Sequence, residues 1–176
     1  MGKLEKAILI HQPEDDSKNI EFMFNPQELG FEHSLQFNED QGARTDEGIP
    51  KISFAYRNAC VLRISNLFFD AYEQDGSVVE YISKLVQSVY FAESGEAKDK
   101  RPPFYIFAWG KIQYFTCFVQ SLNYRLTRFL EDGTPVQAVV DLTLKEIDKA
   151  SVSGDTGFIN FFKSQIYYCL DWSSKQ

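Results

Sequence analysis

Apolar and polar residues alternate along much of this chain, most cleanly in its second half. Val136, Ala138, Val140, Leu142 and Leu144 occupy every second position, between Gln137, Asp141, Thr143 and Lys145. A period of two sends the two sets to opposite faces of a pleated strand, so the segment predicts a half-buried antiparallel strand. Upstream, Lys111 to Leu130 predicts a long strand with Tyr114, Phe118, Leu122, Tyr124 and Leu126 apolar. The face of that set slips near Ser121, which predicts a bulge or strong coiling. Glu131-Asp132-Gly133-Thr134-Pro135 lies between the two strands, and Asp-Gly supplies a hairpin turn. Phe104 to Trp109 is an aromatic run suited to a pleated, half-buried surface. Arg101-Pro102-Pro103 before it cannot be helical, and Gly110 after it marks a tight turn.

The first half reads the same way with shorter pieces. Lys3 to Gln12 predicts a strand through Ala7-Ile8-Leu9-Ile10, followed by the polar turn Pro13-Glu14-Asp15-Asp16-Ser17. Asn19 to Phe24 predicts a second strand, with Ile20, Phe22 and Phe24 on one face and Asn25-Pro26 as the break. Leu29 to Phe37 predicts a third, with Leu29, Phe31 and Leu35 apolar. Residues Asn38 to Pro50 form a polar stretch with two glycines and five charged side chains. It reads either as a surface loop or as an extended arm docked on a neighbouring subunit, since it is long for a compact domain. Ile52 to Asp70 is mostly strand, with Leu62, Ile64 and Phe68 in register and Asn66 interrupting the apolar face.

The period then changes to that of a helix. Val78, Ile82, Leu85, Val86, Val89 and Tyr90 share a stripe, and Ser77 with Glu80 predicts a capping box. This helix, about 77–90, is expected to cover one face or mouth of the sheet. Ala92 to Lys100 is a charged loop. After Ile147 a Ser/Gly/Asp linker leads to Phe158, Phe161, Phe162, Ile166 and Leu170 at helical spacing, with Asp155 or Thr156 as cap. The expected division is therefore 1–148, a β domain, and 149–176, a linker and an amphipathic C-terminal tail. A short helix of this kind is marginal alone in water, so it must pack on its own barrel or on another subunit.

Composition narrows the function. A chain of 176 residues holds one domain with a real core. The net charge of −7 argues against a nucleic-acid partner and against an anionic membrane surface. The 16 Phe, 9 Tyr and 2 Trp suit either a sheet-rich core or subunit contacts. Cys60, Cys117 and Cys169 are far apart and form no C-x-x-C pair, so no disulfide framework or zinc site is expected. The N-terminal apolar run is too short for a signal peptide, and no stretch is long enough to span a membrane. Production in the cytoplasm follows as the expectation. His11 and His33 each stand alone, Asp70 and Glu73 read as strand-end solvation, and Cys117 reads as core. Arg125 and Arg128 could pair across a subunit contact or face solvent. No phosphate loop, dinucleotide fingerprint or nucleophile elbow is present. No catalytic, cofactor-binding or metal residue is assigned, and no cofactor is expected.

Several segments, in order, resemble the tube-type protein family of contractile injection systems, which are phage-tail-like particles. They are Phe22-Met23-Phe24-Asn25-Pro26-Gln27-Glu28, then Leu67 to Glu73, then Arg101-Pro102-Pro103, Phe107-Ala108-Trp109-Gly110, Phe129 to Val136 and Leu142 to Glu146. The resemblance covers about residues 3 to 148. It implies a small antiparallel tail-tube-like β-barrel or sandwich of about six to eight strands. It also implies a structural, non-enzymatic role in a hexameric ring. Such a ring would belong to the inner tube or baseplate hub, joining the trimeric spike protein to the inner tube protein and starting tube polymerisation. Other baseplate proteins would be its further partners. A repeating inner tube subunit is the alternative, and a small ligand-binding β-barrel or an enzyme a more distant one. Members of the family often carry a peptidoglycan-binding LysM module after the tube-like domain, and residues 149–176 are too few for one.

Overall fold

A computed structural model describes residues 4–44, 48, 50–74, 76–91 and 101–148. It is mainly β with one α-helix, as the alternation predicts. Seven strands form one antiparallel sheet: β1 (Ala7–Gln12), β2 (Ile20–Glu21), β3 (Gly30–Glu32), β6 (Val61–Asp70), β7 (Phe104–Trp109), β8 (Ile112–Phe129) and β9 (Pro135–Glu146). Their order is β2-β1-β7-β8-β9-β6-β3. β4 (Leu35–Arg44) and β5 (Pro50–Arg57) pair only with each other, as a separate hairpin.

The sheet curls into a half-barrel, and side chains from each edge reach strands well inside it. Phe31 of edge strand β3 stacks on Tyr114 of β8 with centroids 5.6 Å apart. From the other edge, Met23 Sδ accepts the Asp70 N–H at 3.0 Å, and Phe24 lies against Phe68 at 5.9 Å. The core sits inside this curl. Leu9, Phe22, Phe107, Phe69, Leu62, Ile64, Val140, Leu142 and Leu144 are fully buried there. In β9 every residue of the alternating set from Val136 to Leu144 is buried, as its period requires.

Two irregularities redirect faces. Asn66 adopts φ +55° and the β6–β9 register shifts between Ile64 and Leu67. The Asn66 N–H is held by Asp141 Oδ1 at 2.9 Å. The expected set Leu62, Ile64, Phe68 is corrected here. After the bulge the core face passes to Leu67 and Phe69, and Phe68 turns outward, because one extra residue reverses the pleat. In β8 the register shifts between Val119 and Ser121, as predicted. The fully buried residues before that shift are Thr116, Cys117 and Val119, however, while Tyr124 and Leu126 beyond it are exposed. β8 outruns β7, which pairs with it only as far as Cys117, so its distal half is paired on one side only, with β9.

Other expectations are adjusted. The second strand stops at Glu21, because the Asn25 side chain replaces the ladder. Asn25 Oδ1 accepts from Ala7 N at 2.9 Å and Asn25 Nδ2 donates to Glu5 O at 2.8 Å, leaving Phe24 half exposed. The third strand divides into β3 and β4 around His33-Ser34. The break before β6 falls at Asn58 to Cys60. The helix α1 (Val79–Gln87) buries Ile82 and Leu85. No capping box forms at its start. Ser77 Oγ accepts from Val79 N at 3.1 Å and donates to Pro135 O at 3.0 Å, which ties the helix start to β9. Tyr90 lies beyond the helix and is exposed, not part of its buried stripe. The Ala92–Lys100 loop, the tail with Phe158 to Leu170, and Cys169 lie outside the described residues.

Candidate assembly interface

Several of the groups considered for chemistry have a structural occupation. His11 Nδ1 lies 2.8 Å from Pro13 O, and its ring meets Tyr105 edge-on at 5.7 Å. His33, expected to stand alone, has Nε2 3.8 Å from Cys60 Sγ, a proximity the fold creates across 27 positions. Glu146 Oε2 accepts the Cys60 N–H at 2.8 Å and receives Arg57 at 3.0 Å. Burial, and then the Glu146 charge, push the Cys60 thiol pKa up, against a smaller opposing effect of Arg57. The thiol is therefore held protonated and is a poor nucleophile. Burial drives Cys117 up to about 12, which fits its reading as core. Asp70 accepts from Tyr72 N and from Gln137 Nε2, both at 2.9 Å, so it fastens a strand end. Arg128 lies 3.5 Å over the Tyr72 ring of its own chain, and Arg125 is exposed. Among the described residues no three His, Cys, Asp or Glu side chains are grouped to hold a metal, and no helix is long and apolar enough to cross a membrane.

The unexplained surface is the β4–β5 hairpin. The stretch 38–50, expected as a polar loop, is in large part strand: β4 runs to Arg44 and β5 begins at Pro50. Phe37 faces Phe54 and Glu39 faces Ile52 across the ladder, and Leu35 faces Arg57. Directly opposed residues share a face, so Leu35, Phe37, Ile52 and Phe54 form one apolar stripe. All four are exposed, Phe54 by 75%. Tyr56, opposite Gln36, lies on the reverse face and is exposed as well.

The hairpin root is fixed. Asn58 N donates to Ser34 O at 2.9 Å, Asn58 Nδ2 donates to Ser34 Oγ at 3.0 Å, and Arg57 grips Glu146 through two bonds. A two-stranded ribbon is marginal by itself, and an aligned apolar stripe on it marks a surface made to be covered. Fully burying a large apolar side chain is worth about 1.5–3 kcal/mol; scaled by exposure, the four give about 3–7 kcal/mol. Among the described residues, the curled sheet adds unpaired edges at β2 and β3, and the hairpin has both of its own. The signal for the hairpin was the period of two in Leu35-Phe37 and Ile52-Phe54, hidden by the polar residues between them.

These features can bind protein by strand pairing and apolar contact. In the comparison with known families, the family model described as contractile injection system tube protein matches residues 3–153. No curated protein matches the chain.

Proposed function

The chain belongs to the contractile injection system tube protein family, and from that premise we propose that it forms a hexameric ring of the inner tube at the baseplate hub. Membership makes it a structural component of a contractile injection system that assembles with other particle components. The finer role is our reading. The ring joins the spike protein to the inner tube protein, contacts other baseplate proteins, and offers the platform on which the tube polymerises. It acts by shape and carries out no catalysis, so no residue is assigned to a cofactor or metal. Residues 1–148 make the ring body and 149–176 a linker and tail.

The observation that carries the proposal is the exposed stripe Leu35, Phe37, Ile52, Phe54 on a hairpin anchored at its root. A like subunit that covers that stripe and pairs with the open strand edges would bury both. The family description as a tube protein favours a second reading, a subunit that repeats along the whole tube. Light scattering of the full chain over a concentration series, alone and with the spike protein, tests the proposal. A discrete ring mass supports the hub, and open-ended growth supports the repeating subunit. A monomer under every condition refutes both.

A further inference from the structure

The core face of β8 runs on past the core itself. Tyr124 and Leu126 lie opposite Val140 and Ala138 in the β8–β9 ladder, so they share the face on which those two are buried. Yet Tyr124 is 46% exposed and Leu126 37%. Among the described residues the edge of β8 beside them is open, because β7 pairs with it only as far as Cys117. Across from them α1 presents Val79, Ile82, Ser83 and Val86, at the i, i+3, i+4, i+7 spacing of one helix face. With Gln87 these residues line a groove of about 380 Å³, and none of them is charged. Ile82 belongs to the main core, whereas Val79 is 48% exposed. The groove is therefore an unfilled extension of the core between the helix and the distal half of β8.

Beyond Asp148 the chain carries a segment that matches it. Phe158, Phe161, Phe162 and Ile166 fall at i, i+3, i+4 and i+8, one uncharged face of a helix. Ala92 to Lys100, which follows α1, has no apolar side chain larger than alanine and offers nothing to fill the groove. The segment can also reach. Val140, opposite Tyr124, stands six positions before Glu146 in β9, about 20 Å at 3.4 Å per residue. The nine residues 149–157 span up to about 30 Å when extended. As a helix, Phe158 to Leu170 would be about 18 Å long against about 13 Å for α1, so the two can lie side by side. A tethered segment meets its site at an effective concentration near millimolar, which a segment of another copy reaches only in concentrated solution.

We infer that the stripe Phe158, Phe161, Phe162 and Ile166 docks as a helix in the groove between α1 and the distal half of β8 of its own copy, against Val79, Val86, Tyr124 and Leu126. The docked segment completes the core on the side that β7 leaves open. The contact lies within one chain, so the inference does not rest on ring assembly and stands or falls apart from the β4–β5 hairpin.

Paired substitutions in the full-length protein test it. Phe161→Ser with Phe162→Ser should lower the melting midpoint of the dilute protein by about 5 °C or more. Tyr124→Ser with Leu126→Ser should lower it as well, and joining the two pairs should lower it little further, because each pair removes the same contact. A phenylalanine pair without effect overturns the inference. Drops that add in full place the stripe elsewhere and overturn it too. Where a groove variant fails to fold, a photo-crosslinking benzoylphenylalanine in place of Tyr124 decides, in protein mixed as light and heavy isotopic copies. Crosslinked peptides joining position 124 to residues 158–170 of the same copy are expected. Crosslinks to residues 35–57 or 158–170 of a second copy, crosslinks to residues 92–100, or no crosslink to the C-terminal stripe would each refute the contact.

Discussion

Replacing both Phe37 and Phe54 with serine should weaken assembly strongly while sparing the fold. The two rings face each other in the β4–β5 ladder and are exposed by 46% and 75%. Together they leave a little more than one whole aromatic side chain in water. Covering that much is worth about 1.8–3.6 kcal/mol, taking 1.5–3 for a complete side chain. At 1.4 kcal/mol per decade, self-association should fall roughly 20- to 400-fold. The monomer loses almost nothing, because exposed substitutions usually lie within about 0.5 kcal/mol. Sedimentation velocity over a dilution series measures the first quantity, and thermal unfolding of the dilute monomer measures the second. Undiminished association would refute the reasoning. So would a monomer that melts several degrees lower, since the stripe would then be packed within its own chain.

Other consequences are local. Gly133 has φ +87°, so Gly133→Val should destabilise the β8–β9 turn by about 1–3 kcal/mol, read as a lowered melting midpoint. The Thr134 backbone N–H, chief among its hydrogen bonds, holds the Asp132 carboxyl below its ordinary pKa of 3.8. A depressed folded-state pKa stabilises above the unfolded value and is lost as pH falls through the folded one. The Thr134 amide resonance should therefore move with a midpoint below 3.8; a midpoint above 3.8 contradicts the bond. Cys117, raised to about 12 by burial, should resist iodoacetamide at pH 8 until the protein is unfolded, as peptide mass spectrometry would show.

The regular parts of the fold were legible because local pattern and tertiary burial agree in them. β9 alternates without a break and sits between β8 and β6, so its period alone gives its buried face. Asp132-Gly133 is a turn in the sequence and in the fold for one reason, the positive φ at glycine. The misreadings fall where side chains do the backbone's work. Asn25 replaces ladder partners at β2, Asp141 fixes the bulge at Asn66, and Ser77 bonds the residue two positions on and Pro135 instead of closing a capping box. None of these has a periodic signature. The hairpin was half legible: Ile52-Phe54 alternates as a strand should, but Asn38 to Gly42 is polar enough to read as loop. The His33–Cys60 approach joins residues far apart in the chain, and the pairing of β3 with β6, whose ladder ends one position before them, brings them together.

Assembly into rings through the exposed β surfaces can be seen by negative-stain electron microscopy of the purified full-length protein, alone and mixed with spike and tube proteins. Sixfold rings with a central channel are expected, and they should become the end cap of tubes when tube protein is added. Isolated particles of monomer size in every mixture, with tubes growing equally well without this chain, would contradict it.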